Sequence, residues 1–179
     1  MNEKSTIWTV GHSTRSSEEF LKILAAGPIK LVADVRRFPG SRRYPQFNQE
    51  AMSEWLAEAG IAYRHFVDLG GRRSQRLADS PNAAWRVVAF NAYADYMQSA
   101  EFQVALAELM AAAKTTPTAI MCSEALPQKC HRRIISDALV VHGWQVRHLL
   151  SPKRIDDHPL TPFAHVEGET ITYPAETLF

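Results

Sequence analysis

Apolar residues along this chain fall in short runs separated by polar, Gly- and Pro-marked punctuation, and two kinds of run alternate. Ile7-Trp8-Thr9-Val10 is a β-rich run that stops at Gly11-His12-Ser13. Leu31 to Val35, Ile61 to Phe66, Pro117 to Cys122 and Trp144 to Leu150 read as four further strands. Between them the apolar period becomes helical. Ser16 or Ser17 is placed to cap a helix with Glu18 and Glu19 in its first turn, and Phe20, Leu21, Ile23 and Leu24 form its stripe. Asn48 is placed to cap a helix carrying Met52, Trp55 and Leu56, closed by Gly60. Helical patterns cover 83–97 and 100–113, and Pro127 fits the first position of a helix ending at Gly143. Asp68 to Asn82 is a polar loop long enough to suggest a function of its own.

Strands alternating with helices predict an α/β fold: three layers, with a mostly parallel sheet of about five strands and helices on both faces. The pattern divides the chain into one α/β domain over 1–150 and a Pro-containing C-terminal tail over 151–179. In the tail, His165 to Ile171 suits a small hairpin packed on the domain. Ligands of such sheets bind beyond the carboxyl ends of the strands, near a switch in strand order. That rule selects three segments: Gly11-His12-Ser13, Asp34 to Arg43, and Cys122 to Arg133.

Composition changes this picture little. The chain has 179 residues, 46% of them hydrophobic and 22% charged, as in ordinary globular domains. A net charge of +1 argues against a strong long-range pull on nucleic acid or an anionic membrane. No apolar run approaches the ~20 residues of a membrane span, and Met1 to Thr6 lacks a signal-peptide core. A cytoplasmic location is therefore expected, with Cys122 and Cys130 as reduced thiols and no disulfide between them. The basic residues are 14 Arg against 6 Lys; Arg is the planar, bidentate partner of phosphate and carboxylate, although high genomic GC content enriches it as well.

The selected segments also carry a family resemblance. Val10-Gly11-His12-Ser13 and Asp34-Val35-Arg36 come first, followed by Pro39-Gly40-Ser41-Arg42-Arg43-Tyr44-Pro45-Gln46-Phe47-Asn48. Leu69-Gly70-Gly71-Arg72-Arg73 and Cys122-Ser123-Glu124 through Pro127 to Cys130-His131-Arg132 complete the set. Together they resemble the bacterial family called domain of unknown function 488, over nearly the whole chain to about Leu150. The motifs are specific in combination and not singly. Ser123 stands where the commonest form of the family has Ala. The resemblance implies an α/β domain whose loops form a shared pocket, with Ser41, Cys130 and His131 among the residues that would line it. It implies no particular activity.

The residue chemistry leaves alternatives open. Cys122, at a strand end before a loop and helix, is placed like the nucleophile of rhodaneses and Cys-dependent phosphatases. A phosphatase cradle needs Arg six positions on, however, and that position is Gln128. A buried Cys without chemistry fits the same place. Cys130 aligns with Ile134, Ala138 and Val141 as part of a packed stripe, or forms a redox pair with Cys122 outside the Cys-x-x-Cys spacing. Zinc on Cys122, Cys130, His131 and His12 would lack the close ligand pairs of structural zinc motifs, so no metal or cofactor is assigned. Asp34 interrupts an apolar strand, as a salt-bridge partner or as a base. His12 suits a general base or an ordinary loop histidine. Arg36, Arg37, Arg42 and Arg43 interleave with Phe38, Tyr44 and Phe47, which suits stacked bases and phosphates or a solvated loop. Lys129, Arg132 and Arg133 put cations where the dipole of the expected helix is already positive; either a bound anion or Glu124 would offset this.

The leading expectation is an enzyme acting on a phosphate-bearing small molecule, nucleotide or nucleic acid. Arg36, Ser41, Arg42, Arg43, Cys130, His131 and Arg132 would hold the ligand, Asp34, His12 and Glu124 would handle protons, and Cys122 would be the nucleophile. The alternatives are a non-catalytic nucleotide or nucleic-acid binding module and a Cys-based redox or metal protein. His12, Asp34, Arg36, Cys122 and Arg132 are expected to line one cleft, with an anion at the start of the helix after Cys122.

Overall fold

Two-residue alternation along the strands sorts the core into two separate clusters, one on each face of a sheet. The structure is a computed structural model that describes residues 3–176. Its strands are β1 (Thr6–Gly11), β2 (Leu31–Asp34), β3 (Ala62–His65), β4 (Thr118–Cys122), β5 (Gln145–Ser151) and β6 (Arg154–Asp157). They form one sheet in the order β3-β2-β4-β1-β5-β6, parallel except for β6. Val32, Ala119, Met121 and Val10 point to one face, where they pack with Phe20, Ile23 and Leu24 of α1 (Ser17–Leu24) and Met52 and Leu56 of α2 (Gln49–Glu58). Ala33, Ile120, Cys122 and Ile7 point to the other. There they meet α3 (Val88–Tyr96), α4 (Ala100–Thr115) and α5 (Arg132–Val141). This is the expected three-layer α/β arrangement.

The sheet has six strands rather than five. The sixth, Arg-Ile-Asp-Asp at 154–157, is short, polar and partly exposed, so no apolar alternation announces it. Beyond it, β7 (His165–Glu167) and β8 (Thr170–Thr172) form the small hairpin expected in the tail. Ile171 and Tyr173 are buried in the core cluster of α3–α5, which fastens this segment to the rest.

The chain order creates a switch point. β1 connects through α1 to β2 on one side, whereas the adjacent β4 connects through α5 to β5 on the other, across the opposite face. Crossovers leaving neighbouring strands in opposite directions open a crevice at the strands' carboxyl ends. The loops after β1 and β4 begin there in register: the His12 amide donates to Cys122 O (3.0 Å) and the Ser13 amide to Ser123 O (2.9 Å). Gly11 is required by this approach, because a Cβ there would lie 1.8 Å from the Glu124 carbonyl oxygen.

The helix expected to start at Pro127 starts later. Pro127–Lys129 is a single 3-10 turn, the chain re-extends at Cys130, and α5 begins at Arg132. Proline's fixed φ serves the first position of either helix type.

Candidate active site

A cavity of about 510 Å³ opens at the switch point, and the loops selected from the sequence supply most of its wall. His12, Arg36, Ser41, Cys122, Glu124, Cys130 and His131 all line it. Asp34 lies directly behind Arg36. Arg42 and Arg43 are exposed outside the cavity, and Arg132 is buried beneath it.

Asp34 is an anchor. Its carboxylate accepts from the Arg36 amide (3.0 Å), Arg36 Nε (2.9 Å), Arg36 Nη2 (2.7 Å) and the Tyr63 hydroxyl (2.5 Å). Burial and the Asp34 charge push the Tyr63 hydroxyl well above its usual range, so it stays a donor. Arg36 also donates from Nη2 to Phe47 O (2.8 Å) and from Nη1 to His12 Nε2 (3.3 Å). Because a guanidinium only donates, Nε2 of His12 must carry the lone pair, and His12 Nδ1–H donates to Ser13 O (2.8 Å). Burial, together with the charge of Arg36, lowers the His12 pKa to about 4. Its ring stacks on Phe47 at 4.4 Å. His12 is therefore a neutral acceptor already engaged by Arg36.

Ser41 and Asn48 shape the Arg-rich loop. Asn48 Oδ1 accepts the Ser41 amide (2.5 Å) instead of capping α2, and Ser41 Oγ accepts the Tyr44 amide (3.0 Å). His131 is fixed from the far side: Nε2–H donates to Val35 O (2.8 Å), which leaves the Nδ1 lone pair 3.5 Å from Cys130 Sγ. Burial lowers the His131 pKa to about 4 as well. Gly71 makes room for that ring, since a Cβ there would meet His131 Nδ1 at 2.7 Å.

The cysteines depart from expectation. The 3-10 turn folds the loop back so that the sulfurs of Cys122 and Cys130 come into contact, with Cα atoms 7.5 Å apart. Reduced, separate thiols were expected from a cytoplasmic location, and the eight-residue spacing gives no sign of the turn that brings the sulfurs together. Among the described residues no group of three or more His, Cys, Asp and Glu is arranged to hold a metal ion.

Arg132 belongs to a different structure. It is 1% exposed and donates from Nη2 to Glu124 O (2.6 Å) and from Nη1 to Thr9 Oγ1 (3.2 Å). Burial lowers its pKa to about 9. The Glu124 contact is to the backbone carbonyl and not the carboxylate, so Arg132 and Glu124 form no ion pair. From Thr9 the bonds continue to His148 Nδ1 (2.6 Å), from His148 Nε2 to His158 Nδ1 (2.9 Å), and from His158 Nε2 to Asp137 Oδ1 (2.8 Å). The Tyr173 hydroxyl donates to Asp137 Oδ2 (2.7 Å). With a pure donor at one end and a carboxylate at the other, the bonds can all run in one direction, from Arg132 through Thr9, His148 and His158 to Asp137. The chain of bonds links two buried opposite charges that never touch.

The family model described as Domain of unknown function DUF488 matches residues 16–139. The chain belongs to the DUF488 family. No curated protein and no solved structure matches it. In this DUF488 chain, His148, His158 and Tyr173 lie beyond the matched span, yet they complete the bonding chain that holds Arg132 and, through it, the Glu124 carbonyl of the pocket loop.

Sequence reasoning weighed three cavity cations without assigning them to the site, and it missed two aromatic residues. Arg37, Arg72 and Lys129 line the cavity with exposed side chains, and none of them makes an ion pair among the described residues. Arg72 is signalled by the Leu69-Gly70-Gly71-Arg72-Arg73 motif, in which a Cβ on Gly70 would lie 2.8 Å from Arg37 Cα. Phe90 and Tyr93 reach the cavity from α3, whose sequence shows no sign of a site.

Proposed function

We propose that this pocket binds a small phosphate-bearing molecule of the nucleotide class, and that the chain is a cytoplasmic enzyme acting on it with a pocket thiol as nucleophile. The observation that carries the reading is the meeting, in one cavity, of three cations that make no ion pair among the described residues with three aromatic rings and two sulfurs. Arg37, Arg72 and Lys129 suit phosphate oxygens; Phe38, Tyr44 and Phe90 suit the faces of a planar base. A cavity of about 510 Å³ has the size of small-molecule sites. The remaining Nη1 hydrogen of Arg36, the Ser41 hydroxyl and the Glu124 carboxylate offer further polar contacts along the wall. This assignment moves phosphate binding away from Arg42, Arg43 and Arg132.

A thermal-shift screen over nucleotides, inorganic phosphate and a single-stranded oligonucleotide tests the reading. A nucleotide is expected to raise the melting temperature. Arg72→Ala is expected to weaken that nucleotide about ten- to a hundredfold, the equivalent of one charge-assisted hydrogen bond of roughly 1.5–3 kcal/mol, with the ligand-free melting temperature unchanged. Binding without turnover would remove the enzymatic half of the proposal. No shift with any phosphate compound would remove both halves.

A further inference from the structure

The two sulfurs occupy chemically opposite surroundings, although only eight residues separate them. Cys122 Sγ faces the carbonyl oxygen of Glu124 at 3.8 Å, an acceptor that favours the protonated thiol. Cys130 Sγ accepts the backbone amide of Arg132 (3.4 Å) at the first residue of α5 and has the lone pair of His131 Nδ1 at 3.5 Å. An amide at a helix N-terminus favours the thiolate, and an adjacent imidazole lone pair accepts a hydrogen bond from the thiol. Cys130 is also the more accessible, at 6% against 2%. Both sulfurs border the cavity, whose mouth carries Arg37, Arg72 and Lys129 against the single carboxylate Glu124.

We infer that Cys122 and Cys130 form a reversible dithiol–disulfide couple that exchanges with small disulfides carrying carboxylates, with Cys130 as the attacking sulfur and Cys122 as the resolving one. This activity uses the cavity described above but does not depend on a nucleotide binding there. In the first step the Cys130 thiol, hydrogen-bonded to His131 Nδ1, loses its proton to water, and Sγ attacks one sulfur of the substrate disulfide. The substrate S–S bond breaks, and the departing thiolate takes a proton from water, leaving a mixed disulfide on Cys130. In the second step Cys122 Sγ attacks Cys130 Sγ. The mixed disulfide breaks, a second substrate thiol leaves with the Cys122 proton, and the two sulfurs are joined. One substrate disulfide is reduced to two thiols as the protein dithiol is oxidised. The helix-end amide and the imidazole assign the attack to Cys130; the shared cavity wall supplies a resolving partner already in contact.

The test treats fully reduced protein with oxidised glutathione and follows intact mass over time. Wild type is expected to lose two hydrogens and retain no glutathione. Cys122→Ser is expected to accumulate one glutathione on Cys130. Cys130→Ser should form any adduct at least tenfold more slowly, and His131→Gln should slow the first step at least tenfold. Cystamine, the cationic counterpart, is expected to react several-fold more slowly than oxidised glutathione, and Arg72→Ala should narrow that difference. Cys122→Ala and Cys130→Ala repeat the comparison if a serine variant melts abnormally. Equal adduct rates on the two single-cysteine variants would overturn the assignment of roles. Native protein that stays unreacted while the denatured chain reacts would overturn the couple, and equal rates for the two disulfides would overturn the substrate class. None of these results bears on the nucleotide-induced melting shift, so failure here is distinguishable from failure of that reading.

Discussion

Replacing His148 with Leu cuts the buried bonding chain at its centre. His148 is 4% exposed and accepts from Thr9 Oγ1 while donating to His158 Nδ1. Leu fills a similar volume but leaves that hydroxyl hydrogen and that ring nitrogen buried without partners. Each orphaned group costs about 1–3 kcal/mol. The better burial of Leu offsets part of this, so a net loss of roughly 2–4 kcal/mol is expected near neutral pH. The variant also has a pH signature. Burial, with the charges of His158 and Arg132 adding to it, lowers the His148 pKa from the usual 6.5 to about 3. The unfolded chain therefore binds this proton first, and wild-type stability falls as pH drops from 6.5 towards 3, at up to about 1.4 kcal/mol per pH unit from this group. Above pH 6.5 the group contributes no slope. The variant lacks the term, so the gap between the two proteins is widest at pH 7.5 and about 1.4 kcal/mol narrower at pH 5.5. Urea denaturation at those two pH values reads both quantities. A loss below about 0.5 kcal/mol at pH 7.5, or a gap that does not narrow at pH 5.5, would refute the chain as a stabilising, proton-ordered unit.

Two further substitutions probe the pocket wall. Asp34→Ala strands the buried Arg36 guanidinium and is expected to cost about 3–5 kcal/mol by denaturant unfolding; a loss near zero would mean that Arg36 re-pairs or reaches water. Gly71→Ala drives a methyl into the His131 ring and is expected to cost about 1–3 kcal/mol and to move the His131 resonances in an NMR spectrum. Unmoved resonances would show that the Gly70-Gly71 turn yields instead.

The parts of the fold visible in the sequence are those governed by local pattern. Val32 and Ala33, or Met121 and Cys122, alternate between faces whatever the rest of the chain does, so the parallel sheet and its switch-point loops were legible. The edge strand β6 was not, because a polar edge strand carries no such alternation. The pocket was legible as a convergence of loops but not as an assignment of charges. Arg36 and Arg132 look equally available in sequence. Whether an Arg faces a ligand or closes a buried network depends on partners far along the chain: Thr9 lies 123 residues from Arg132 and contributes no local signal. Arg42 and Arg43 lie outside the cavity and Arg72 lines it, and no local signal in the sequence separates them. The Cys122–Cys130 contact follows from one 3-10 turn whose tightness Pro127 alone does not reveal.

The central claim, that the crevice where β1 and β4 end is the working site for a nucleotide-class ligand, is tested most directly by mapping backbone amide shifts in labelled protein. The titrant is the nucleotide giving the largest melting shift, with inorganic phosphate as a control. The account predicts that the largest perturbations fall on 12–14, 36–41, 71–72 and 122–131. Perturbations centred anywhere else on the molecule, or none at a nucleotide excess that saturates the melting shift, would contradict it.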